Sequence, residues 1–357
     1  MTGKYMMLKA RSLELAKRRG PQGSRAKREV LIHRKAMLII YGPTATGKTD
    51  LAINLAKKYN GEIISADSRQ VYKSLDIGTG KVSFESKIER HRGYWIVDGV
   101  KINGFDIVNP GEQFTAANFV YYANNSIIRI VKQKKLPIIV GGTGFYIKAL
   151  IDGIESMGIP ADQKLRKQLE KLSVADLFKK LTKTDPKRAK SMNNSDSQNP
   201  RRLIRAIEIA QTSLTPGLRK VASKHIPGVS LVNGHLSDVN CLLIGLTAPN
   251  DYLYSRADKW LETRLKHGMI QEIENLLKNS VNQNWFDNLG LEYHWLSRYL
   301  SGKIERDKAI ERLKGDIHKF IRRQKTWFSK FPDIRLYDIS KPNWQNEFGK
   351  NGLSLLN

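Results

Sequence analysis

Residues 42–49 read Gly42-Pro43-Thr44-Ala45-Thr46-Gly47-Lys48-Thr49 and satisfy the spacing G-x-x-x-x-G-K-[ST] at every position. The chemistry this spacing serves is phosphate binding. Successive backbone N–H groups and a helix N-terminus form a concavity for phosphate oxygens, Lys48 adds a point charge, and the Thr49 hydroxyl offers a ligand for Mg²⁺. Its flanks give the pattern weight. Met37-Leu38-Ile39-Ile40-Tyr41 reads as a buried strand, and Asp50–Lys58 places apolar residues at helical spacing. Strand, loop and helix in that order make a P-loop, and with it a site for a phosphorylated ligand.

Further strands are expected at Glu62–Ser65, Leu136–Val140 and Cys241–Leu246, with a long helix at Thr115–Lys132. This alternation predicts an α/β fold: a P-loop NTPase-like, mostly parallel sheet flanked by helices, with ligands at the carboxyl ends of the strands. The P-loop, Ser65-Ala66-Asp67-Ser68 and Gly141-Gly142-Thr143-Gly144 each directly follow a strand, so all three are expected to converge on one crevice. Tyr94-Trp95-Ile96-Val97-Asp98 is the only run resembling the strand that ends in a metal-managing aspartate in ATPases. The following Gly99-Val100-Lys101-Ile102-Asn103 suggests a hairpin instead.

Residues 159–235 read as an all-helical insertion domain. Leu165, Leu169 and Leu172 mark one apolar stripe, Ser173 caps the next helix, and Asp185-Pro186 opens another. A fourth begins at Asn199-Pro200 and carries Arg201, Arg202 and Arg205 in its first turns. Cations there oppose the helix dipole, which points to a purpose other than helix stability. Residues 217–234 read as a long basic loop. The expected organisation is a basic extension over 1–36, core over 37–158, insertion over 159–235, core completion and C-terminal helices over 236–338, and a tail over 339–357.

The 357 residues hold 61 Lys and Arg against 34 Asp and Glu, a formal charge of +27. Residues 1–36 contribute eleven basic and two acidic side chains, which leaves +18 on the rest, so the folded body is itself basic. Such a field favours polyanionic partners, tRNA or another nucleic acid foremost. No apolar run approaches the roughly 20 residues a bilayer span needs. The single cysteine, Cys241, excludes internal disulfides and a Cys-based zinc site and suits a reducing cytosol.

The run Ile64-Ser65-Ala66-Asp67-Ser68-Arg69-Gln70-Val71-Tyr72-Lys73-Ser74-Leu75-Asp76-Ile77-Gly78-Thr79-Gly80-Lys81 resembles the signature of the tRNA dimethylallyltransferases, also called tRNA isopentenyltransferases. Phe114–Phe119, Pro137–Tyr146, Arg201–Glu208, Gly268–Ile273, Leu289–Tyr293 and Arg323–Phe328 resemble further blocks of that family in the same order. The resemblance spans residues 37 to 338, and the lack of a zinc-finger pattern after it favours the bacterial type. It implies transfer of a dimethylallyl group from dimethylallyl diphosphate to N6 of the adenosine 3′ to the tRNA anticodon, with Mg²⁺ as cofactor. It also implies the tRNA anticodon stem-loop as partner, no membrane, and a monomer.

On this resemblance Lys48, Thr49 and the loop N–H groups from Thr44 to Thr49 neutralise the leaving diphosphate. Asp67 matches the family's general base. Asp67, Ser68, Arg69, Gln70 and Thr143 surround the flipped adenine. Arg166, Arg201, Arg202, Leu203, Ile204 and Arg205 match positions on the anticodon arm, as do Asn288, Leu289, Gly290, Leu291, Glu292 and Tyr293. Val82 follows Lys81 where the family has proline, and residues 85–106 are longer than usual. In the run Arg256–Arg264, the second expected arginine falls on Trp260, so Arg256 and Arg264 are expected to hold the diphosphate. Three rivals remain: an idle tRNA-binding paralogue, an isopentenyltransferase acting on free AMP, and a P-loop small-molecule kinase.

Overall fold

Five consecutive apolar residues can be hidden only where both faces of a strand are covered, in the middle of a sheet with helices on either side. Met37 to Tyr41 sit there, all essentially buried. The computed structural model describes residues 36–153, 159, 161–213, 231–232, 235–236, 240–279 and 281–349. Nearly all of the expected basic extension, most of the basic loop 217–234, and the end of the tail lie outside the described residues.

The strands are β1 (Ala36–Tyr41), β2 (Gly61–Ser65), β3 (Ile88–His91), β4 (Tyr94–Val97), β5 (Val100–Asn103), β6 (Leu136–Gly141), β7 (Leu231–Val232), β8 (His235–Leu236), β9 (Asn240–Thr247) and β10 (Arg335–Asp338). The four expected strands are β1, β2, β6 and β9, each slightly longer than read. Eight strands form one sheet in the order β10-β9-β1-β6-β2-β5-β4-β3, and β7 pairs only with β8. From β10 to β5 every neighbour is parallel, with Leu38 registered against both Ile138 and Leu242. At the far edge β3, β4 and β5 run antiparallel. Asp98 and Gly99 join β4 to β5 with φ of 51° and 81°, the two left-handed positions of a tight hairpin turn.

The helices, in chain order, are α1 (Lys48–Lys58), α2 (Ala116–Lys132), α3 (Gly144–Asp152), α4 (Gln163–Leu169), α5 (Val174–Thr184), α6 (Pro186–Ser191), α7 (Asn194–Ser197), α8 (Pro200–Ser213), α9 (Asn250–Lys266), α10 (Met269–Lys278), α11 (Gln283–Leu289), α12 (Leu291–Leu300) and α13 (Arg306–Lys325), followed by α14 (Trp344–Glu347). Helix α2 starts at a reciprocal cap in which the Thr115 and Asn118 side chains each serve the other's backbone N–H. In the C-terminal part, α13 lays the stripe Ala309, Leu313, Ile317 and Ile321 into the core. None of the described helices is long and apolar enough to cross a membrane.

The chain divides into two compact units: one holds the sheet with α1, α2 and α9–α14, the other runs from Ile151 to Ser237. The second unit has its own core of Leu169, Leu177, Leu181, Ala189, Leu203, Ile204, Ala206 and Ile207. Ser173 caps α5 and Asp185 caps α6, with Pro186 at the first helical position.

One close approach sets the geometry at the carboxyl end of the sheet. A Cβ at Gly141, the last residue of β6, would lie 2.1 Å from the Ala66 carbonyl oxygen. A backbone atom cannot give way as a side-chain end can. Gly141→Ala is therefore expected to lower folding stability by more than about 2 kcal/mol. A denaturant titration checks it, and an unchanged midpoint would show that the two backbones are not held together here.

Candidate active site

Because β1, β2 and β6 are parallel neighbours, their carboxyl ends open on the same side, and the loops that follow them line one pocket of about 690 Å³. The first loop is the P-loop. Thr46 Oγ1 donates to the Pro43 carbonyl at 2.8 Å, which wraps the loop on itself. Gly47 takes φ 74° and turns the chain into α1 without capping it, so the first N–H groups of the helix remain for an anion. Lys48 Nζ donates to the Pro43 carbonyl at 3.2 Å. Burial pulls its ammonium down to about 8, against the opposing pull of Asp67 and Asp50. From α9, Arg256 Nε donates to the Ala45 carbonyl at 2.8 Å and lines the same end of the pocket.

Asp67 lies beyond β2 and lines the pocket too. Its Oδ1 accepts the Arg69 N–H at 2.9 Å, a local turn that fixes the carboxylate. The Ser68 N–H donates to Thr143 Oγ1 at 3.1 Å, tying this loop to the one after β6. Gln70 Oε1 accepts from Ser65 Oγ at 2.7 Å, and its amide reaches the Gly80 carbonyl at 3.3 Å. Thr143 and Gln70 thus brace the loops around Asp67.

Beneath Asp67 is a buried charge cluster. Glu292 accepts from Arg69 Nη1 at 2.6 Å and from Arg264 Nη2 at 3.1 Å. Burial pushes the Glu292 carboxyl up, but the two guanidiniums outweigh it and hold it below the usual Glu value. Glu272 accepts the N–H groups of Asp76, Ile77 and Gly78 at 2.8, 2.7 and 3.0 Å, and the Tyr293 hydroxyl at 2.9 Å. Lys81 buries its ammonium on Asp76, Asp106 and the Tyr72 carbonyl. The loop from 76 to 81 is therefore pinned at both ends.

A last brace is Gln324. Its Oε1 accepts the Thr44 N–H at 2.9 Å and its amide donates to the Gly142 carbonyl at 2.9 Å. The Thr44 N–H, expected among the phosphate-binding donors, is thereby directed to Gln324, and the cradle begins at Ala45.

Several expectations change. Arg264 does not face the phosphate end: it is buried, donates to the Gly78 carbonyl and Glu292, and lies under Trp260. Glu292 and Tyr293 are buried, so their side chains brace the site and do not present themselves to RNA; in that stretch Asn288 is exposed, and Leu289, Gly290 and Leu291 are half-buried. Asp98 lies in the β4–β5 turn, accepting from the Lys87 N–H, and does not line the pocket.

In the helical unit, Leu203 and Ile204 are core residues, not interface residues. Arg166 makes a two-pronged pair with buried Glu208 at 2.7 and 2.8 Å, and Arg205 joins it at 3.2 Å. Burial raises the Glu208 carboxyl, and these arginines more than reverse that. Arg202 pairs with Asp196, and both Arg201 and Arg202 are exposed. Arg166 and Arg205 thus neutralise Glu208, and Arg201 and Arg202 do not take part in that pairing.

Sequence reasoning leaves Glu272 and Lys81 without a role and reads Gln324, in the run Arg323–Trp327, as either a brace or an RNA contact; the structure makes it a brace. Gln324 had a legible signal: it continues the buried stripe Leu313-Ile317-Ile321, and a polar residue on such a stripe needs buried partners. Glu272 and Lys81 stand in quoted blocks, but their partners lie on other loops that spacing does not reveal.

Among the described residues no group of three or more His, Cys, Asp or Glu is placed to hold a metal. The Thr49 hydroxyl lines the pocket beside Lys48, an oxygen donor of the kind that Mg²⁺ takes.

The IPP transferase family signature matches residues 70–331. The tRNA dimethylallyltransferase of Acetivibrio thermocellus is 37% identical over 316 residues, covering 87% of this chain and 93% of the relative. That of Alkaliphilus oremlandii is 35% identical over 311 residues, covering 86% and 92%. Among solved structures, the full-length tRNA isopentenylpyrophosphate transferase of Bacillus halodurans superposes with a TM-score of 0.62 at 31% identity, covering 90% of this chain and 97% of that one. A eukaryotic dimethylallyltransferase acting on tRNA gives a TM-score of 0.68 at 25% identity, over 88% and 78%.

The low Lys48 value has a measurable consequence. The ammonium attracts an anion only while protonated, so affinity for inorganic diphosphate should fall as pH rises through about 8. Lys48→Arg, whose guanidinium does not titrate there, should flatten that limb. Calorimetry from pH 7 upward checks it; the same decline in both proteins would remove Lys48 as its cause.

Proposed function

The chain belongs to the tRNA dimethylallyltransferase family, and on that premise we propose how its residues carry the reaction. It is a prenyltransferase that modifies tRNA. The dimethylallyl group leaves its diphosphate and joins N6 of the adenosine 3′ to the anticodon, with diphosphate released. The observation that carries this reading is the meeting, in one pocket, of the P-loop and an aspartate whose carboxylate is held by a backbone N–H.

Within the pocket, the α1 N-terminus, the loop from Ala45 to Thr49, Lys48 and Arg256 hold the diphosphate. These groups are fixed before substrate arrives, so they stabilise the charge that grows on the leaving oxygens without having to reorganise. Thr49 is the chain's ligand for Mg²⁺, which when bound supplies further neutralisation of that charge. The adenine must leave its stack to enter such a pocket. The N6 lone pair is delocalised into the ring, and it becomes an effective nucleophile as Asp67 takes a proton from it. Asp67 Oδ1 is held by the Arg69 N–H, which leaves Oδ2 to receive that proton. The allylic C–O bond breaks, the C–N6 bond forms, the electron pair departs with the diphosphate, and the proton passes to Asp67.

Arg201, Arg202 and the exposed cations of the basic body are proposed to meet tRNA phosphates, a contribution that weakens with salt. A cytosolic location is in keeping with the single cysteine.

Purified protein with Mg²⁺, dimethylallyl diphosphate and an anticodon stem-loop should yield RNA heavier by one five-carbon unit. Asp67→Ala should slow that transfer by about 10²–10⁴-fold while leaving diphosphate affinity near wild type. Mass spectrometry of the RNA reads the first and calorimetry the second. Full turnover in Asp67→Ala would assign the proton to another group, and transfer to AMP as efficient as to RNA would favour the free-nucleotide reaction.

A further inference from the structure

Trp260 stands four residues beyond Arg256 on α9, on the same helix face, and its surroundings are fitted to it. The indole lines the pocket. The Arg264 guanidinium lies 3.4 Å from its ring centroid. The pocket-lining loop also makes room for the ring: a Cβ on Gly80 would come within 2.0 Å of the indole, and Gly80 takes φ +58°. Glu292 answers the charge of Arg264 from below, so Arg264 acts as a planar support under the ring.

Lys48 and Arg256 belong to the phosphate end. Trp260 is one helical turn farther along α9, a rise of about 6 Å. Val82 and Phe84 line the pocket as well, with Phe84 stacked on His267 at 4.2 Å. An anion gripped by the P-loop and Arg256 would leave its attached hydrocarbon within reach of Trp260, Val82 and Phe84.

We propose that Trp260 is a specificity-determining wall for the hydrocarbon chain of the allylic diphosphate, and that it binds the tail and not the phosphates. This rests on the reaction proposed above and deepens it. The position is thereby a built contact, not a vacated phosphate ligand.

Calorimetry with inorganic diphosphate and with dimethylallyl diphosphate, both with Mg²⁺, separates the two ends of the donor. The ratio of the two dissociation constants isolates the tail. Trp260→Ala is expected to shrink the tail's advantage by about tenfold, with diphosphate affinity unchanged, and Trp260→Phe to keep most of it. If the alanine variant does not fold, Trp260→Leu carries the same comparison, losing less than alanine but more than phenylalanine. Equal losses on both ligands, or no loss on either, would overturn the proposal. A wild-type protein that binds neither ligand would instead bring down the assigned reaction, and the tail contact with it.

Discussion

The pocket stands on one buried carboxylate. Glu292, 2% exposed, holds the guanidiniums of Arg69 and Arg264 on its two oxygens. An isolated ion at such depth is unfavourable, and removing one partner of a buried pair typically costs about 3–5 kcal/mol because the survivor stays uncompensated. Each arginine in turn fixes a different wall. Arg69 sits two residues from Asp67 and gives it a backbone hydrogen bond; Arg264 supports Trp260 and donates to the Gly78 carbonyl as well. Glu292 can meet both because Gly290, at φ 77°, starts α12 so that Glu292 and Tyr293 fall on its buried face. Tyr293 then reaches Glu272, which holds the loop at 76–78 by its N–H groups.

Loops on parallel strands would otherwise be free to drift apart. Here they are joined by side chains brought from far along the sequence. Gln324 bridges Thr44 to Gly142, and Thr143 bridges onward to Ser68, so the phosphate cradle and the aspartate are linked through three hydrogen bonds and one short stretch of backbone. Each of these bonds joins groups that are buried or partly buried, where leaving a donor unpaired is costly. Positioning of this kind matters because in-line transfer tolerates little error in the distance between leaving group and nucleophile.

The sheet was legible because its four central strands are apolar runs bounded by loops that carry chemistry, and the P-loop was legible because its spacing is fixed by the phosphate it cradles. The edge hairpin is suggested by the run that opens at Gly99. The candidate site was legible only where local sequence decides geometry: Gly47, Lys48 and Asp67 can be placed from their own loops. Long-range partners were not. The arginines at 166 and 205 were read outward, toward RNA, because nothing near them in sequence announces that Glu208 is buried between helices. Arg264 was read toward the diphosphate because helical spacing gives a face but not its occupant, and Trp260 covers that face.

Charge placement separates the two chemical tasks of the site. At the phosphate end Lys48 and Arg256 bind backbone carbonyls, neutral partners that leave most of their charge for an anionic ligand. Close to Asp67 in sequence, Arg69 gives its guanidinium to Glu292 and its backbone N–H to Asp67. Had that guanidinium closed on Asp67, it would have stabilised the carboxylate and made it a weaker proton acceptor. The pairing of Arg69 with Glu292 thus leaves the Asp67 carboxylate bonded to a backbone N–H on the pocket lining. It also explains why a carboxylate from a helix more than two hundred residues away is drawn beneath the floor of this pocket.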